Sequence, residues 1–167
     1  MYYFDHCATT PPHPDVIRAV TEVMEQYTGN PSSIHRVGLD AERLLKQSRQ
    51  VIAGCLGGPD LEQIVFTSGG TESNNFAIKG AAFAFQGRGK HMITTEIEHP
   101  SVYESFKSLE QKGFEVTFVR VDGSGRVRAD SIEKAIRKDT ILVSVMHVNN
   151  ETGSLQPIGE IGKRLKN

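Results

Sequence analysis

The chain has 167 residues, with 19 lysines and arginines against 20 aspartates and glutamates and a formal charge of −1 at pH 7. That is about one domain, long enough to bury a real core, and the interspersed charges leave neither a basic face for nucleic acid nor a polybasic membrane anchor. No apolar run approaches the ~20 residues of a spanning helix, and Met1-Tyr2-Tyr3-Phe4-Asp5 lacks the basic start and apolar centre of a signal peptide, so the cytoplasm is the expected compartment. Two distant cysteines, Cys7 and Cys55, encode neither a disulfide framework nor a zinc site, and free thiols are expected.

Residues 1–60 are expected to form a short extended arm followed by helices. From Pro14 to Tyr27 the apolar positions Val16, Val20, Val23, Met24 and Tyr27 fall on one helical face, with Pro14 suited to the first turn. A second stripe runs through Val37, Ala41, Leu44, Leu45, Val51, Ile52 and Cys55. Between them Gly29-Asn30-Pro31-Ser32-Ser33 breaks both periodicities and must be a loop. From residue 61 onward strands and helices alternate. Strands are predicted near Gln63–Thr67, His91–Thr95, Glu115–Val121 and Ile141–His147, with helices at Thr71–Gln86, Pro100–Lys112 and Asp130–Lys138. That series implies an α/β domain with a mainly parallel sheet flanked by helices. Asp130 with Glu133 has the spacing of a capping box, and Gly113 is placed to stop its helix.

The most telling stretch is Ile64-Val65-Phe66-Thr67-Ser68-Gly69-Gly70-Thr71, a β-prone run that reads as a strand buried on both faces and that stops at two glycines before a helix. The glycines allow a sharp turn and close approach. Thr71 can cap the helix, whose first N–H groups lack intrahelical partners and suit a phosphate. The bland alternative is a simple connecting turn. Neither G-x-x-x-x-G-K-[ST] nor G-x-G-x-x-G after a strand occurs, which disfavours a nucleoside triphosphate or a dinucleotide. Ligands of such sheets bind beyond the carboxyl ends of the strands. Those ends carry Ser68, Gly70 and Thr71, then Glu96, Glu98 and His99, and finally Asn149, Asn150 and Glu151, while Asp122-Gly123-Ser124-Gly125 reads as a structural turn.

His99, just before Pro100, is either an exposed residue at a helix start or a flat titratable ring beside a planar ligand. Asn150 can orient an oxygen-bearing ligand or satisfy its own loop. His6, His13, His35, His91 and His147 have no metal-ligand spacing, and no metal is expected. Phe76, Phe83 and Phe85 read as core and rim.

Together, Phe4-Asp5-His6-Cys7-Ala8-Thr9-Thr10-Pro11, Gly29-Asn30-Pro31-Ser32-Ser33-Ile34-His35, Phe66-Thr67-Ser68-Gly69-Gly70-Thr71-Glu72-Ser73, Glu98-His99 and His147-Val148-Asn149-Asn150-Glu151-Thr152-Gly153 closely resemble the cysteine desulfurases. These are class V, fold type I enzymes dependent on pyridoxal 5'-phosphate. The resemblance implies the N-terminal half of a fold type I large domain over 61–167. It further implies that Gly70 and Thr71 hold the cofactor phosphate, that His99 stacks on the pyridine ring and assists proton transfer, and that Asn150 contacts the ring oxygen. Ala8, Thr9 and Asn30 would border the substrate pocket. L-Cysteine would be converted to L-alanine, with a persulfide passed to a sulfur acceptor or scaffold protein for iron-sulfur cluster assembly or RNA thiolation. The relatives are homodimers. Cys7 departs from the family, which usually has another small or polar residue there.

The chain is less than half the length expected of that family. Nothing matches the D-x-A/G-Q motif, whose aspartate pairs with the pyridine nitrogen, or the S-x-H-K motif, whose lysine forms the Schiff base; the loop bearing the nucleophilic cysteine would also lie later. The chain is therefore expected to be an N-terminal part, inactive alone, stopping as a helix starts at Ile158–Asn167. Another class V enzyme (a selenocysteine lyase, a kynureninase-like hydrolase or an aminotransferase) and a non-catalytic binding fragment are the alternatives.

Overall fold

The computed structural model describes residues 2–58 and 60–165, in two compact units, Met1–Phe66 and Thr67–Asn167. Lys166 and Asn167, the end of the last segment expected to start a helix, lie outside the described residues.

The first unit holds α1 (Pro14–Gln26) and α2 (Arg36–Cys55), where the two apolar stripes put them. Both are capped by histidine: His13 Nδ1 accepts from Asp15 N at 3.2 Å, and His35 Nδ1 from Gly38 N at 3.3 Å. The loop between them folds back on α2 at Gly38, where a Cβ would stand 2.2 Å from Ser33 O and 2.7 Å from Asn30 O. A chain without a side chain there lets the two backbones touch.

The strand predicted at Gln63–Thr67 is not formed. Leu61–Gln63 is a 3-10 turn, and residues 64–67 have no regular secondary structure and no strand partner among the described residues. The expected burial on both faces fails with it, because Val65 is 55% and Phe66 43% exposed. β-propensity describes a fit to neighbouring strands, so an apolar run with no neighbour stays an open segment. Arg49 occupies it instead, its Nε donating to Ile64 O at 3.3 Å and its guanidinium lying 5.3 Å from the Phe66 ring centre.

The second unit contains α3 (Gly70–Phe85), β1 (His91–Thr95), α4 (Pro100–Glu110), β2 (Glu115–Val119), α5 (Ala129–Ala135), β3 (Thr140–Val143) and α6 (Ile158–Arg164). The strands make a parallel sheet in the order β2-β1-β3, with His91 opposite Glu115 and Thr140. Period-two alternation sends β1 side chains to both faces. Met92 packs with Ile78, Ala82, Val102, Phe106, Leu109 and Phe114. Ile93 packs on the other face with Val119, Val127, Ala129, Ile132 and Ile161. All five residues of β1 are buried, as befits a strand covered on both sides. His91 ties the sheet crosswise, with Nδ1 2.7 Å from Thr140 Oγ1 and Nε2 2.8 Å from Thr117 Oγ1.

Gly113 ends the α4 region in the left-handed conformation at φ 83°, as predicted. The predicted capping box does not form. Arg128 is the N-cap of α5 without a side-chain cap, and Asp130 instead receives Arg128 Nε and Nη2, each at 3.0 Å. The guanidinium beside it holds the Asp130 carboxyl down at about 2. α5 is also shorter than expected, because Ile136 is already extended and Arg137 N donates to Thr140 Oγ1 at 2.7 Å. The aromatic residues of α3 lie at the rim and not in the core: Phe76, Phe83 and Phe85 are exposed, although Phe83 meets Phe114 edge-on with ring centres 5.9 Å apart.

Candidate functional site

The start of α3 differs from the sequence expectation in one respect. The cap position is Gly69, Gly70 is the first helical residue, and Thr71 lies within the first turn. The Thr71 hydroxyl therefore does not cap the helix. No side chain caps this end, and the first backbone bond is Ser73 N to Gly69 O at 3.0 Å. The amides of Gly70, Thr71 and Glu72 precede that bond and carry the positive end of the helix dipole. A Cβ on Gly69 or Gly70 would meet nothing within 4 Å, so the approach to those amides is open. Thr67 and Glu72 brace the turn from below: Thr67 Oγ1 lies 2.6 Å from Ser73 Oγ, and Glu72 Oε2 accepts from Ser68 N at 2.6 Å. That amide bond keeps the Glu72 carboxyl below its usual value.

His99 caps α4, with Pro100 next in the first turn. Its Nδ1 accepts from Ser101 N at 3.1 Å and lies 2.8 Å from Ser101 Oγ. Asn74, on α3, donates Nδ2 to the same Ser101 Oγ at 2.8 Å. The helix of the glycine turn and the helix of His99 are thus joined side chain to side chain. Thr71, Asn75, Lys79, His99, Pro100 and Glu104 are among the residues lining the hollow of about 390 Å³ between α3 and α4.

Glu98 and Asn149 tie the ends of β1 and β3. Glu98 is buried, and its Oε1 accepts from Thr95 Oγ1 at 2.7 Å and from Met146 N at 2.9 Å. Burial pushes its carboxyl above the usual range, against the opposing pull of those two donors. Asn149 Nδ2 donates to Ile97 O at 3.0 Å, and its Oδ1 accepts from Glu151 N and Thr152 N. His99 and Asn150 each directly follow one of these fixed residues.

Of the residues singled out from sequence, Thr71 and His99 share the hollow, and Gly70 stands beside Thr71 on α3. Asn150 is not among the residues lining it. Its exposed carboxamide donates to Glu151 Oε1 at 3.0 Å. Ala8, Thr9 and Asn30 belong to the first unit. There the amides of Ala8 and Thr9 both donate to Asp5 O, while Asn30 Oδ1 accepts from Ser32 N at 2.9 Å in its own turn. Asp122 closes the turn after β2 by accepting from Ser124 N, Ser124 Oγ and Arg126 N. Among the described residues no group of three or more His, Cys, Asp or Glu side chains could hold a metal. Sequence reasoning missed Asn74 and Ser101. The repeated His-Pro pair, His13-Pro14 and His99-Pro100, signals an imidazole at a helix cap but not the Asn74–Ser101 contact behind it.

The uncapped start of this 16-residue helix, two glycines and a threonine hydroxyl suit an anionic phosphate, with an imidazole beside them for a planar ring. The donor set therefore fits a phosphorylated aromatic cofactor such as pyridoxal 5'-phosphate.

Residues 2–167 match the family model described as aminotransferase class-V. The chain is 48% identical over 164 residues to a cysteine desulfurase IscS of Dictyoglomus turgidum (strain DSM 6724 / Z-1310), covering 98% of this chain and 41% of the relative. Among solved structures, a NifS-like protein superposes with a TM-score of 0.93 at 39% identity, over 98% of this chain and 45% of that one. A structure described as SspA in complex with cysteine superposes with a TM-score of 0.92 at 40% identity, over 99% and 48%. The chain thus spans less than half the length of each of these proteins.

Proposed function

Because this chain belongs to the aminotransferase class-V family, we propose that it is the N-terminal part of a pyridoxal phosphate-dependent cysteine desulfurase. The whole protein would convert L-cysteine to L-alanine and pass sulfur as a persulfide to an acceptor or scaffold protein, serving iron-sulfur cluster assembly or tRNA thiolation. It would act as a cytoplasmic homodimer. No described helix is long and apolar enough to cross a membrane.

The observation that carries this reading is the shared hollow of Thr71 and His99 at the open start of α3. Pyridoxal phosphate, when bound, supplies the electron sink of the reaction. The Gly70 and Thr71 amides and the Thr71 hydroxyl would hold its phosphate by charge-assisted hydrogen bonds. His99 would lie against the pyridine ring and hold a proton at Nε2, since Nδ1 is engaged by Ser101. Asn150 would reach the ring oxygen from the loop after β3. Ala8, Thr9 and Asn30 would border the substrate. The 167-residue chain has no match to the Schiff-base lysine motif or the nucleophilic cysteine loop, so turnover requires the rest of the enzyme.

The test is a chimera in which this chain replaces the matching N-terminal segment of the Dictyoglomus relative. Cysteine-dependent formation of alanine and sulfide is expected, with loss of cofactor binding in Thr71→Ala and of turnover in His99→Ala. A folded, cofactor-loaded chimera that makes no alanine from cysteine would overturn the activity. Unchanged cofactor affinity in Thr71→Ala would overturn the phosphate assignment.

A further inference from the structure

We infer that Asn74 and Ser101 are positioning residues that fix the tautomer of His99, keeping its proton on Nε2 so that it presents a donor to whatever occupies the hollow. This rests on the reading that His99 faces the cofactor. A backbone amide can only donate, so Ser101 N, 3.1 Å from His99 Nδ1, requires a lone pair on that nitrogen. A proton on Nδ1 would set two donors against each other.

The Ser101 hydroxyl, 2.8 Å from Nδ1, reinforces the choice. Its oxygen receives the Asn74 amide at 2.8 Å, which turns the hydroxyl hydrogen away from Asn74 and leaves it free to point at the imidazole. Ser101 is buried, so water does not compete freely for that hydrogen. The opposite ring nitrogen, Nε2, has no hydrogen-bond partner among the described residues, and His99 itself is exposed and lines the hollow.

Two consequences follow for the chemistry. Neutral His99 offers the hollow a hydrogen-bond donor, and it can accept a proton at Nε2 only after giving one up. The orientation of the ring is also coupled to α3, because the Asn74 that feeds Ser101 lies one turn beyond Thr71. A displacement of the glycine-turn helix is then felt at the imidazole through three side chains in series.

The experiment is long-range proton–nitrogen NMR of His99 in the uniformly 15N-labelled 167-residue chain, in alkaline buffer, with the His91 imidazole as the control for folding. The wild type is expected to show predominantly the Nε2–H tautomer. Ser101→Ala should lower the ratio of Nε2–H to Nδ1–H about fivefold, the equivalent of one hydrogen bond of about 1 kcal/mol. Asn74→Ala should move it in the same direction, and Ser101→Thr should restore it. A wild type that is predominantly Nδ1–H overturns the inference without any variant, and so does a ratio unchanged in both alanine variants. In the full-length chimera with the Dictyoglomus relative, addition of pyridoxal phosphate separates the two claims. If the His99 resonances do not respond to it, the cofactor reading fails while the tautomer result stands.

Discussion

His91→Ala is the sharpest test of how the sheet is held. The imidazole is 1% exposed and joins all three strands, through Thr140 Oγ1 at 2.7 Å and Thr117 Oγ1 at 2.8 Å. Losing two hydrogen bonds costs about 2 kcal/mol. The void left by the ring in a packed layer adds roughly 1–2 kcal/mol. The threonines limit the damage, since Thr140 Oγ1 keeps the Arg137 amide and half-buried Thr117 can reach water. A total near 3–4 kcal/mol is expected from urea denaturation. The pH dependence supplies a second, independent readout. Burial holds the His91 pKa below its usual value, assisted by the charge of Arg137 and opposed by Asp139 and Glu115. The unfolded chain therefore takes up a proton that the folded one refuses. Stability is full above the unfolded pKa and is lost as pH falls through the lowered folded value. Between about pH 8 and about pH 5 the wild type should lose more stability than His91→Ala. A cost below about 1 kcal/mol, or a variant that loses as much stability on acidification as the wild type, would refute the crosswise tie.

Gly38→Ala should destabilise the first unit, because the new Cβ would stand 2.2 Å from Ser33 O. An overpacking cost of about 1–3 kcal/mol exceeds the helix-propensity gain of at most about 1 kcal/mol, so an unchanged or raised melting temperature would count against that close approach. Phe106→Ala, at a position with 0% exposure, should cost about 3–5 kcal/mol in denaturant titrations. Glu98→Gln keeps an acceptor for Thr95 and Met146 while removing a charge held above its usual pKa by burial, so it should equal or exceed the wild type near neutral pH. Glu98→Ala leaves both donors unpaired and should lose about 1–3 kcal/mol; equal stability of the two variants would show that Glu98 is not the tie between β1 and β3.

What was legible in the sequence followed from local rules that the folded chain leaves in force. The stripe from Val16 to Tyr27 predicted α1 because helical periodicity needs only its own residues, and Gly113 marked a helix end because a left-handed position favours glycine whatever surrounds it. Residues 64–67 failed for the complementary reason. A strand exists only where another backbone meets its amides and carbonyls, and the described chain brings none there. β3 also stops short of its predicted end at His147: after Val143 its pairing with β1 carries on as Ser144 N to Ile93 O at 2.9 Å. Asp130 misled by spacing alone: the helix begins one residue before it, at Ala129, so its carboxylate lies within the first turn and pairs with Arg128.

The candidate site shows the same division at the level of single atoms. That glycines at a strand-to-helix turn leave amides open to an anion could be read from residue types, and Gly69 rather than Thr71 at the cap makes those amides more open, since no hydroxyl covers them. That His99 stands before a helix could also be read. Which of its nitrogens is occupied could not, because that depends on Ser101 turning its amide back onto Nδ1 and on Asn74 arriving from a helix 27 residues earlier in the chain. A histidine cap commits one ring nitrogen to the helix and leaves the other turned outward. His13 and His35 do the same at α1 and α2, so the arrangement at His99 begins as a local folding device. What separates His99 from those two is the second helix delivering Asn74 to the serine behind the ring. That makes α3 and the imidazole one mechanical unit at the mouth of the hollow.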